Sequence, residues 1–80
     1  MKLSRAIALR ISEFLREKKI TQYRLEKLTA LHHNTISYIM SEKNNSINLK
    51  TLMIIIKALD ITPSQFFDSK LFTDDNLVIE

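Results

Sequence analysis

The residue pattern predicts an all-α chain of five helices with no strand of consequence. Apolar side chains recur at three- and four-residue intervals from Leu3 onward, the signature of helices with one buried face. Thr21, Asn48 and Thr62 stand just ahead of such segments, where a short polar side chain can accept from the unpaired amides of a first helical turn. Pro63 follows Thr62, and proline at the first helical position sacrifices no hydrogen bond.

The first helix is expected from about Leu3 to Lys18. Leu3, Ile7, Ile11, Phe14 and Leu15 form its stripe, with Arg5, Arg16 and Glu17 away from it, so its role is scaffold. The second begins after Thr21 and runs to about Thr29, with Leu25 and Leu28 pointing inward. The third follows a tight corner and ends at a loop, Ser41 to Ser46, rich in Ser and Asn. Asn48 caps a fourth helix over Leu49 to Leu59, apolar over most of its circumference and therefore expected as the buried centre. The fifth starts at Thr62-Pro63 and places Phe66 or Phe67 on the core.

The third helix carries the functional signal. Each residue advances about 100° around the axis. With Ile36 at the core-facing pole, Ile39 and Met40 fall beside it, while Asn34, Ser37, Tyr38 and Ser41 gather on the opposite arc and His33 lies on the flank. Between His32 and Ser41 there is no Lys, Arg or Glu, the residues that ordinarily solvate an exposed helix. Amides and hydroxyls suit the edges of DNA bases, where Asn pairs bidentately with adenine and Ser donates or accepts.

Composition narrows the alternatives. The 80 residues make one domain, of a size that buries only about 60 % of the surface its unfolded chain exposes. Without cysteine there is no disulfide framework and no thiolate metal site, which fits a reducing cytoplasm. Arg5 and Arg10 interrupt the apolar residues of the opening segment, so no secretory leader is expected. The longest apolar run, Leu52 to Leu59, contains Lys57 and falls far short of the roughly 20 residues that span a bilayer. Up to Lys57, eleven basic residues face four acidic ones, giving +7; beyond it Lys70 faces five acidic residues, giving −4. A basic body fits a polyanion, because neutralising phosphates releases counterions, though an ordinary solvated surface has the same balance.

From Ile20 to Phe67 the chain resembles the Cro/CI-type, or xenobiotic-response-element, helix-turn-helix transcriptional regulators. The resemblance rests on Thr21-Gln22, Leu25, Leu31, the run Asn34-Thr35-Ile36-Ser37, Ile39, Leu49 with Leu52, and Ala58-Leu59 with Ile61 and Pro63. It implies a compact, lambda-repressor-like five-helix domain over residues 1–69, with helices 2 and 3 as the helix-turn-helix and residues 70–80 as a tail. By the same resemblance, His33, Asn34, Ser37 and Tyr38 fall on base-reading positions. Gln22 matches a phosphate-binding glutamine, His32 and Thr35 fall against backbone or core, and Lys43, Asn44 and Asn45 lie where relatives meet the phosphate backbone. Each residue also has a plainer reading: Gln22 as a capping partner, the histidines as surface imidazoles, Tyr38 as a surface-packed aromatic.

Two positions depart from the family pattern. Ala30 occupies the corner where glycine is usual, and a left-handed alanine costs about 1–2 kcal/mol, so the corner is either strained or turns by another path. Glu26 stands where a small residue normally lets the helices approach, and its carboxylate must reach the rim or find a partner. The resemblance implies a homodimer on double-stranded DNA, most commonly repressing. An antitoxin, or a protein-interaction module that kept the fold, are the alternatives. Leu77, Val78 and Ile79 then either clasp a second subunit or cover the chain's own core. No enzyme constellation, metal set, cofactor motif or small-molecule site is visible, and adjacent His32 and His33 point in different directions.

Overall fold

The computed structural model describes residues 1–41 and 47–78. Helix α1 spans Leu3–Lys18, α2 Gln22–Thr29, α3 His33–Met40, α4 Leu49–Ala58 and α5 Pro63–Phe67, followed by one 3₁₀ turn at Lys70–Phe72. The fold is all-α; among the described residues the one extended pairing is an isolated parallel bridge between Lys2 and Val78. The helices begin where the caps are. Thr21 Oγ1 accepts from the Arg24 amide at 3.0 Å, and Asn48 Oδ1 accepts from Lys50 and Thr51 at 2.9 and 3.3 Å. Thr62 and Gln65 bond reciprocally, each side chain taking the other's amide, so α5 starts with a complete capping box.

The core is a single cluster to which every α-helix contributes. Ile7, Ile11, Phe14 and Leu15 of α1 meet Leu25, Ile36, Ile39, Leu52, Ile55, Ile56, Leu59 and Phe66. Each fully buried side chain of this kind contributes about 1.5–3 kcal/mol. Two inward expectations fail. Leu28 is 44 % exposed, because α2 points Leu25 at the centre and Leu28, a turn later, leans past the edge of its neighbours. Helix α4 is not buried all round: Leu49 and Met53, one turn apart, are exposed on the side that its neighbours α2 and α5 leave open. A domain this small has too few elements to enclose a helix completely.

With no glycine in the chain, three helix ends use other residues in the left-handed region: Lys19, Ala30 and Asp60, with φ of 57°, 57° and 59°. Two of them close through the backbone. After α1, the Lys19 and Ile20 amides donate to Arg16 and Leu15; after α4, those of Asp60 and Ile61 donate to Lys57 and Ile56. At Ala30 a side chain does this work instead. The Thr29 hydroxyl donates to the Leu25 carbonyl at 2.8 Å and accepts from the Leu31 amide at 3.2 Å, bridging the corner.

Arg10 joins the two ends of the sequence. Its Nε donates to the Phe66 carbonyl at 2.7 Å and its Nη2 to the carbonyls of Gln65 and Asp68 at 2.7 and 3.2 Å. The guanidinium also lies 4.3 Å above the Phe14 ring. A cation therefore satisfies the last carbonyls of α5, a helix of five residues that could not persist alone. Beyond it, Phe72 packs edge-on against Phe67 and tilted against Phe66. The tail then returns to the N-terminal segment: the Met1 nitrogen donates to Asn76 O at 2.6 Å and the Val78 amide to Met1 O at 2.7 Å. The described tail thus packs on its own chain, through Phe72 more than through the exposed Val78.

Ala30→Gly removes the Cβ clash, partly offset by the larger entropy of an unfolded glycine, for a net gain of about 0.5–1 kcal/mol. In a domain this size, thermal circular dichroism should read a rise in Tm of about 2–6 °C. A lowered Tm contradicts the left-handed corner. Arg10→Met keeps the apolar stem but strips the α5 carbonyls of their donor, and should cost about 1–3 kcal/mol in denaturant melts. An unchanged midpoint would mean that water replaces the guanidinium without loss.

Candidate nucleic-acid interface

Helix α3 is held against the core along one edge. Ile36 and Ile39 are buried, and Leu31 and Met40 pack at the margins of the same cluster. The left-handed Ala30 reverses the chain after α2, and two residues later α3 begins. Its N-cap is His32, whose Nδ1 accepts from the Asn34 amide at 3.0 Å. One ring nitrogen of His32 is therefore committed to the helix start.

The opposite arc is open. Asn34, Ser37, Tyr38 and Ser41 are all exposed and together line one shallow depression, with Tyr38 at 50 % exposure. Periodicity alone places these four side by side, and the structure brings them together. The Ser41 hydroxyl, however, donates to the Tyr38 carbonyl at 2.8 Å, so it finishes the helix as well as facing outward. Thr35 is half-buried at the rim of a second groove, which runs between α3 and the start of α4 and is lined also by Asn34, Tyr38, Ile47, Asn48 and Thr51. Gln22 is exposed at the first position of α2. Lys43, Asn44 and Asn45 lie outside the described residues.

His33, the first residue of α3, has a partner that spacing did not reveal. Its Nδ1 lies 2.8 Å from Oε2 of Glu26, across the corner on α2. Glu26 thereby reaches the rim and finds a partner, which explains how a carboxylate is accommodated between these helices. The start of α4 is a second feature absent from the sequence reading, which assigned Asn48 only as a cap. That residue lines the inter-helical groove beside Asn34 and Tyr38, a juxtaposition across 10 to 14 positions that no local pattern signals. On the outer side of α2, exposed Tyr23 carries the Lys27 ammonium 5.0 Å from its ring centre.

Chemically the surface offers neutral donors and acceptors on a rigid support. Among the described residues, no group of three or more His, Cys, Asp or Glu could hold a metal ion. None of the described helices is long and apolar enough to cross a membrane.

The model of the Cro/C1-type HTH DNA-binding domain matches residues 10–70 of the chain. No curated protein and no solved structure matches it. The matched span contains the corner, the polar arc of α3, the second half of α1, and helices α4 and α5. With well over half of its length inside that match, the chain belongs to the family of Cro/C1-type helix-turn-helix DNA-binding domains.

Proposed function

We propose that this DNA-binding domain is a sequence-specific transcriptional regulator that lays α3 in the major groove. The observation that carries the reading is the exposed, uncharged arc of Asn34, Ser37 and Tyr38, with no described segment covering it. A helix with its side chains is about 10–12 Å across and the major groove about 12 Å wide, so the arc can meet base edges directly. His33, Asn34, Ser37 and Tyr38 are the base readers. Asn34 suits adenine, Ser37 either donors or acceptors, and Tyr38 a thymine methyl or a phosphate. Gln22, His32, Thr35, Lys43, Asn44 and Asn45 hold the phosphate backbone and fix the register.

The regulator acts as a homodimer on two half-sites about 34 Å apart, in the cytoplasm with the DNA it controls, and represses by occupying the polymerase's site. The charge distribution supports this orientation: the basic body faces the polyanion and the acidic residues fall late in the chain.

Selection from randomised duplexes at two salt concentrations reports binding, half-site and spacing together, and should return a palindromic site with affinity falling steeply as salt rises. Failure to enrich any sequence at either salt would sink the proposal. Asn34→Ala should lower discrimination between cognate and altered sites by about 1–3 kcal/mol, whereas Lys43→Ala should weaken all sites alike. Equal effects from both would show that readers and holders are wrongly divided. Sedimentation of the chain cut after Ser69 tests the tail: loss of the dimer with an intact fold assigns it to the subunit contact, and unfolding assigns it to the cover of its own core.

A further inference from the structure

Glu26 and His33 lie seven residues apart, one on each helix of the corner, with Oε2 and Nδ1 separated by 2.8 Å. An ionised carboxylate only accepts hydrogen bonds, so the proton of this contact sits on Nδ1. The Glu26 side chain is 14 % exposed and that of His33 67 %, so the withdrawn partner holds one edge of a ring whose other edge is in solvent. An unconstrained neutral imidazole in water favours the opposite tautomer, with its proton on Nε2. Glu26 reverses that preference and leaves the Nε2 lone pair facing out.

We propose that Glu26 is a positioning residue that sets which base His33 reads, an inference that rests on the DNA-reading role of α3. Neutral His33 presents Nε2 as an acceptor and therefore selects a base with an amine in the major groove, adenine N6 or cytosine N4. Glu26 is the charged group in contact with the ring. Adjacent His32 turns its Nδ1 to the Asn34 amide, and Lys27 of α2 lies over Tyr23. Helix α1 approaches α3 through uncharged Ser4 and Ile7, and the start of α4 through Ile47, Asn48 and Thr51.

The first measurement needs no DNA. Long-range proton–nitrogen NMR of the full chain should show the neutral His33 ring protonated on Nδ1. In Glu26→Gln, whose amide either donates or accepts, it should move toward the Nε2 form. A wild-type ring protonated on Nε2 overturns the proposal whatever the chain does with DNA. The second measurement is duplex selection, reading the base position that loses preference in His33→Ala. Wild type should favour adenine or cytosine there over guanine or thymine by on the order of tenfold. Glu26→Gln should flatten that position and leave the others unchanged. A preference unmoved by Glu26→Gln overturns the positioning role while the DNA-binding reading stands. A chain that enriches no sequence overturns both.

Discussion

Helix α3 has eight residues, too few to keep a helical shape in water without tertiary support. Its polar arc exists as a surface only because Ile36 and Ile39 are locked into the core on the reverse side. Those two side chains fix the helix's rotation about its own axis. A turn of one residue, about 100°, would bury Ser37 and expose Ile36. The core fixes Asn34, Ser37 and Tyr38 in direction before any ligand arrives, which lowers the ordering cost of binding.

The corner that precedes α3 shows how a glycine-free chain turns. At Lys19 and Asp60 the left-handed residue is supported by paired backbone hydrogen bonds, and the strain is shared with two satisfied carbonyls. At Ala30 the Thr29 hydroxyl makes the bridge, bonding backwards to α2 and forwards to Leu31. The smallest side chain with a Cβ occupies the bend between α2 and α3, the two helices of the corner. Glu26 fills the same crevice from the α2 side and emerges at His33.

Charge is used in two distinct ways. Arg10 belongs to the fold: its fork closes α5, its plane covers Phe14, and its side chain is 17 % exposed. It therefore adds little to the field at the surface, although it counts among the eleven basic residues of the body. The exposed cations Lys50 and Lys57 of α4 remain available for long-range attraction. The pairing of residues 76 and 78 with Met1 anchors the acidic segment that precedes them beside the start of α1.

Helix limits, the caps at Thr21, Asn48 and Thr62 and the outward face of α3 follow from residues within a few positions of one another. The amino-acid order alone was therefore enough to determine Leu3–Lys18, Gln22–Thr29 and the polar arc at Asn34, Ser37 and Tyr38. Capping and periodicity are local, and a 3.6-residue repeat can be read without knowing the neighbours. Tertiary structure decided the rest. The open side of α4, the outward lean of Leu28, the capture of the α5 carbonyls by Arg10 and the return of the tail to Met1 each depend on elements distant in sequence. The contact between Glu26 and His33 is separated by only seven residues, yet it too was hidden, because it depends on the angle at Ala30. That angle comes from the packing of two helices on a shared core, which no single segment encodes.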